Sequence, residues 1–284
     1  HNRPDIFGML VKAGAKGATS AKNGTPLVVI AAKDNRDEFI EMLLDGGGDV
    51  MAKDASGNPA LVVAAREGSY QSVKTLLKKG ASVNATGENG DTALLKAIAA
   101  SRNSNQTVQA LLDGGADMNI PNTAGDAPLH IAVNSRNFNL FRTLLKKGAD
   151  PNVKNKQGDT LILQLSAVEP PPAKGSSRQK LIAQNRDAMS IIRDLIKSGA
   201  DPNILNRFGE TALNRARKKR NFDMISMLLK EGVSVNTPDK NGNTVPKKEI
   251  MDYIGDYRLV ESSSKETRKI IDLFVSSGGD INAA

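Results

Sequence analysis

Apolar residues along the chain fall into two alternating patterns. One is a short block of small and branched aliphatic residues, as in Leu61-Val62-Val63-Ala64-Ala65. The other is a longer segment with apolar positions at helical spacing, as in Val73, Leu76 and Leu77. The second pattern predicts an amphipathic helix. The first predicts a short helix whose alanines let neighbouring helices stack closely. An apolar pair closes each longer segment: Leu43-Leu44, Leu76-Leu77, Leu111-Leu112, Leu144-Leu145, Leu195-Ile196 and Leu228-Leu229. A glycine follows each pair, where a left-handed helix end is expected. Polar stretches such as Val83 to Gly90, with turn residues Gly87, Glu88 and Asn89, predict hairpins between the helix pairs. No single pair buries its own apolar face, so stacking must supply the core.

These patterns recur at a fixed interval. Gly80-Ala81-Ser82-Val83-Asn84 returns as Gly115-Ala116-Asp117-Met118-Asn119, as Gly148-Ala149-Asp150-Pro151-Asn152 and as Gly199-Ala200-Asp201-Pro202-Asn203. Weaker copies run over Gly47 to Met51, Gly232 to Asn236 and Gly278 to Asn282. The steps between first glycines are 33, 35, 33, 51, 33 and 46 residues. A second signature opens the apolar blocks: Thr25-Pro26-Leu27, Thr92-Ala93-Leu94-Leu95, Ala127-Pro128-Leu129-His130 and Thr211-Ala212-Leu213. A threonine oxygen can cap free N–H groups, and proline suits the first helical turn.

This pattern resembles the ankyrin repeat, over essentially the whole chain. The resemblance implies an all-α stack of helix-turn-helix units with hairpin fingers, in a single domain over 1–284. The expected division is a partial repeat at 1–19 and repeats at 20–52, 53–85, 86–120, 121–153, 154–203, 204–236 and 237–284. The fifth repeat carries an insertion at 168–185, where Pro170-Pro171-Pro172 stops the first helix and Lys174 to Ser177 reads as an exposed loop. Leu181 to Arg186 extends the next helix. The seventh carries an insertion at 254–266 and a degenerate opening, Thr244-Val245-Pro246, which suits a cap. The start reads as the second half of an earlier unit, as in a region excised from a longer protein.

Composition narrows the function. The 284 residues include two histidines, no cysteine and no tryptophan. Thiolate nucleophiles, disulfides and cysteine zinc sites are excluded. Ten aromatics leave the core to Leu, Ile, Val and Ala. No enzyme motif is present: Gly46-Gly47-Gly48 is a helix end, because no Gly-Lys-Ser/Thr follows. No enzyme, cofactor, metal or small-molecule substrate is expected. The longest apolar runs, about six residues, fall far short of a bilayer span. The cysteine-free chain reads as intracellular, cytoplasmic or nuclear. A net charge of +8 favours acidic partners on encounter.

In the family, partners meet a concave face made of finger tips and first helices. The matching positions are the two residues before the finger glycine, the one after it, and the two after the first helix. In the second repeat these are Ala55, Ser56, Asn58, Arg66 and Glu67; in the third, Glu88, Asn89 and Asp91. The fourth gives Thr123, Ala124, Asp126, Asn134 and Ser135, and the fifth Lys156, Gln157 and Asp159. The sixth gives Arg207, Phe208, Glu210, Lys218 and Lys219. The sixth stands out, with an aromatic at a finger tip beside the basic run Arg215, Arg217, Lys218, Lys219 and Arg220. That is the composition of an interface hot spot. In the bland reading, Phe208 packs on the next finger and the run is a solvated face. Tyr70, Phe138, Phe141 and Phe222 read as packing residues. His130 is expected to hydrogen-bond between adjacent hairpins, as in the family.

The leading expectation is a protein-interaction scaffold that binds a protein or peptide segment, acidic in part. The alternatives are a nucleic-acid-binding basic solenoid and the targeting region of a larger enzyme. Sparse aromatics weigh against base stacking.

Overall fold

The computed structural model describes residues 24–100, 104–172 and 174–237, together with residues 272 and 275. The partial repeat at 1–19, the insertion at 254–266 and nearly all of the seventh repeat lie outside the described residues.

The described residues form twelve α-helices in six consecutive pairs, without a β-sheet. They are α1 (Leu27–Lys33), α2 (Asp37–Asp45), α3 (Ala60–Glu67), α4 (Tyr70–Lys78), α5 (Ala93–Ala99), α6 (Ser104–Asp113), α7 (Pro128–Asn134), α8 (Phe138–Lys146), α9 (Leu161–Leu165), α10 (Arg178–Lys197), α11 (Ala212–Lys218) and α12 (Phe222–Lys230). The contacts divide the chain into two lobes, His1–Asp150 and Pro151–Ala284.

In the first lobe the odd-numbered inner helices stack in order, α1 on α3, α3 on α5 and α5 on α7. The outer helices follow, α2 on α4 and α4 on α6. In the second lobe α9 packs on α10 and α11, and α12 packs on both α10 and α11. Inner helices are buried on nearly every side. In α3, residues Ala60 to Ala65 are all 2% exposed or less. Each buried Leu or Val there contributes about 1.5–3 kcal/mol. Outer helices bury a single stripe, such as Val73 and Leu76 of α4. Phe141 is wholly buried, whereas Phe138 and Phe222 are half-buried, so the aromatics expected in the core reach it only in part.

The helix starts follow their local chemistry. Thr92, Thr160 and Thr211 each accept a hydrogen bond from the backbone N–H three residues on. Asn137 and Asn221 do the same for the outer helices α8 and α12. At the other end, Gly80 takes φ +88°, and Ala81 N–H returns to Leu76 O at 2.9 Å. This left-handed turn releases the chain into the next finger.

Four of the fingers are built around one side chain. Asn122, Asn155 and Asn206 each turn Oδ1 onto two backbone N–H groups, two and four residues ahead. Asp54 plays this part in the second repeat. A further asparagine joins successive repeats. Asn84 Oδ1 accepts from Asp117 N, Asn119 from Asp150, Asn152 from Asp201 and Asn203 from Ser234, all at 2.8–2.9 Å. The third of these joints spans the insertion.

That insertion is ordered where it meets the stack. Helix α9 ends at Leu165, before the prolines, and α10 begins at Arg178, earlier than the apolar pattern marks. Asn185 Nδ2 donates to Glu169 O at 2.7 Å and to Leu181 O at 3.0 Å. Asn221 Nδ2 donates to Val168 O at 3.0 Å and to Asn185 Oδ1. Both asparagines are buried.

Candidate interaction surface

The finger geometry exposes two consecutive side chains at each tip. Ala55-Ser56, Glu88-Asn89, Thr123-Ala124, Lys156-Gln157 and Arg207-Phe208 are all exposed. Ser56, Ala124, Gln157 and Phe208 close their turns through the backbone N–H, which leaves their side chains to face water. In the second lobe the tips of the fifth and sixth repeats adjoin: a Cβ built on Gly158 would lie 3.0 Å from Arg207 N. Lys156, Gln157, Arg207 and Phe208 therefore come from two fingers in close approach. Phe208 is 54% exposed, far more than a packed aromatic retains. It does not bury itself on another finger.

The residue after the finger glycine in the second, third and fifth repeats behaves differently from the expectation. It faces the stack. Asn58 and Asp159 are 2% and 5% exposed. Asn58 Oδ1 accepts from Glu88 N at 2.8 Å in the next finger. Asp91 receives Lys96 at 2.7 Å and Asn122 Nδ2 at 3.2 Å. Asp159 receives Asn206 Nδ2 at 2.9 Å. These positions connect repeats.

The same holds for much of the basic run. Arg215 lies between two carboxylates, with Nη1 to Asp159 at 2.8 Å and Nε to Glu210 at 3.0 Å. Its side chain is 16% exposed. Lys218 holds the other oxygen of Glu210 at 2.5 Å, and Lys219 pairs with Glu169 of the insertion. Glu210 is thereby held at a pKa of about 2: the Lys218 hydrogen bond lowers it most, burial opposes, and Arg215 and Asn206 lower it further. Glu210 and Arg215 are thus parts of an internal network. Lys218 and Lys219 differ, because exposed pairs contribute only about 0–1 kcal/mol and exchange partners readily. In the first lobe Arg66 and Glu67, both exposed, pair with each other at 3.1 Å.

His130 is fully buried and makes a bond other than the expected one. Its Nδ1 accepts from Ala127 N at 3.3 Å, within its own repeat, and Nε2 has no hydrogen-bond partner among the described residues. Joints between fingers are made by asparagines instead. Burial lowers its pKa, with Asp126 opposing. Tyr70 is half-buried, with Lys74 5.5 Å above its ring, and walls a groove of about 620 Å³ with Leu77 and Ala110. Among the described residues no His, Asp and Glu side chains cluster as a metal site requires, and no helix is long and apolar enough to cross a membrane.

Stacked helix pairs joined by polar fingers, with variable tips on a buried frame, define a repeat protein of the interaction-scaffold type. The description "Ankyrin repeats (3 copies)" matches residues 1–87, 83–155 and 180–245, and the chain belongs to the ankyrin repeat family. Such repeats generally mediate protein–protein interaction, and domains built from them are typically non-catalytic.

Solved structures are similar throughout. An ankyrin repeat domain from Acinetobacter baumannii is 27% identical at a TM-score of 0.58, covering 72% of this chain and 97% of its own. The ankyrin repeat domain of Bcl-3, a member of the IκB protein family, is 22% identical at a TM-score of 0.66, covering 89% of this chain and 100% of its own. Comparison with curated proteins gives no match.

Proposed function

We propose that the chain is one array of seven ankyrin repeats plus an N-terminal partial repeat over residues 1–284, acting as a scaffold for an intracellular protein partner. It binds a protein or peptide segment, acidic in part, on the face of finger tips and first helices. No chemistry on the partner is needed. The observation that carries this reading is Phe208, an exposed aromatic at a tip position that the fold leaves free. Arg207, Lys156 and Gln157 surround it with adaptable polar contacts. Lys218 and Lys219 add charge by exchanging their internal carboxylates for the partner's, whereas Arg215 and Glu210 hold the finger in place. Arg66 and Glu67 offer a separate, weaker contact in the first lobe.

The test is capture from nuclease-treated cell extract by the wild-type chain and by a folded Phe208→Ala variant. Affinity for the purified captured protein is then measured by calorimetry. Phe208→Ala is expected to weaken binding by about 30-fold or more, the range of a hot-spot aromatic. Equal binding by both variants would remove the finger from the reading. Recovery of nucleic acid without nuclease, and of no protein with it, would favour a nucleic-acid-binding solenoid.

A further inference from the structure

The charge that the sixth repeat neutralises internally is displayed elsewhere in the second lobe. Residues 170–186, in the insertion and one residue past it, carry Lys174, Arg178, Lys180 and Arg186 and no carboxylate, between Glu169, which pairs with Lys219, and Asp187. All four cations are exposed. Arg186, 78% exposed, lies 3.7 Å from Asp187, beyond hydrogen-bond distance. Lys174, Arg178 and Lys180 make no ion pair with another described residue. By contrast Arg215, Lys218 and Lys219 each hold a carboxylate of the chain itself.

Two further features set these cations apart from a solvated helix face. The first is their placement. Arg178 and Lys180 occupy the opening turn of α10, which has no acidic residue and no side-chain cap. Cations there oppose the helix dipole, so they work against the stability of the element that carries them. Residues that break a local rule without a structural return mark function. The second is order. Asn221 of the stack holds both ends of the inserted segment, through Val168 O and Asn185 Oδ1. Binding on a fastened helix costs less ordering entropy than binding on a free loop. The chemistry also selects between acidic partners. Residues 168–197 contain no aromatic side chain, so no ring there offers bases a stacking platform. Carboxylates of a protein segment suit the surface better.

We propose that the inserted arm, through Lys174, Arg178, Lys180 and Arg186, is the surface that receives the acidic part of the protein partner. This rests on the scaffold reading but not on the finger at Phe208.

The test uses the full chain and a fluorescein-labelled peptide of alternating glutamate and serine, followed by fluorescence anisotropy across a salt series. The double reversal Arg178→Glu, Lys180→Glu is expected to weaken peptide binding about tenfold or more. Its thermal midpoint is expected to equal or exceed that of wild type, because acids suit a helix N-terminus. A purely structural role for the two cations predicts the opposite stability change. Lys146→Glu, Lys147→Glu, a charge-matched reversal at two exposed lysines closing α8 in the first lobe, is the comparison, with a loss of about threefold or less. If the reversal disturbs folding, Arg178→Gln, Lys180→Gln removes the charge alone and should still weaken binding.

Wild-type affinity in both arm variants, or no binding by wild type at low salt, overturns the proposal. So does tighter binding of a single-stranded oligonucleotide of matched charge. If the arm variants fail to matter while Phe208→Ala still loses the captured protein, the arm is wrong and the scaffold stands. If the arm variants matter and Phe208→Ala does not, the finger is wrong and the arm stands.

Discussion

At Gly87 the constraint is one of space. Its backbone is extended, at φ −103° and ψ −151°, which any residue can adopt. A Cβ there would lie 2.4 Å from Asn58 Oδ1, the atom that accepts from Glu88 N. The fourth and sixth repeats solve the same junction with an Asp–Asn pair, Asp91 with Asn122 and Asp159 with Asn206. Gly87→Asn alone should cost about 1–3 kcal/mol through overpacking. Adding Asn58→Asp should recover most of that loss, by recreating the pair found in the neighbours. A double-mutant cycle by urea unfolding checks it, and additive losses would refute the coupling. Phe208 was readable as a candidate because the repeat fixes which positions are tips. Glu210 and Arg215 were not readable as structural. The carboxylate of Asp159 that claims Arg215 lies 56 residues away in sequence, and spacing alone does not show which charges meet.

Between elements, the fingers are joined by one asparagine per repeat, and the first repeat breaks the pattern. Met51 stands where Asn84, Asn119, Asn152 and Asn203 stand, and its Sδ lies 3.5 Å from Ser82 N. Thioether sulfur is a weak acceptor. Met51→Asn should therefore stabilise the first lobe by about 0.5–1.5 kcal/mol, the net value of one hydrogen bond. Denaturant midpoints of wild type and variant measure this; an unchanged or lower midpoint would count against the joint. The helices themselves were legible, because burial on a period leaves an apolar record. The start of α10 at Arg178 was not, since its first turn is exposed and holds no apolar residue. The sequence pattern does not mark Thr160 as a helix cap, because the fifth repeat lacks the usual Thr-Pro or Thr-Ala opening. The buried asparagines that fasten the insertion left no periodic signal either.

For the whole molecule, acid should act on the two lobes in different pH ranges. His130, in the first lobe, has its folded pKa lowered from 6.5 by burial. Its contribution is fully present above about pH 6.5 and is lost as pH falls below that value, when the unfolded chain takes the proton first. Glu210, in the second lobe, is lowered from 4.5 to about 2. Its contribution is present above about pH 4.5 and is lost between there and about pH 2. Hydrogen exchange resolved by segment should show protection falling first around residues 127–133 and, at lower pH, around 205–218. His130→Asn should flatten only the first change and Glu210→Gln only the second. Simultaneous loss in both segments would show that the two titrations do not govern them. The asparagine joints carry a consequence for how such an array lengthens. In each joint a backbone N–H of one repeat donates to the asparagine side chain of the repeat before it. For this joint a newcomer at the carboxyl-terminal side needs no particular residue, whereas one at the amino-terminal side must bring the asparagine with it. Growth of the array by duplication is thus more permissive in one direction than in the other.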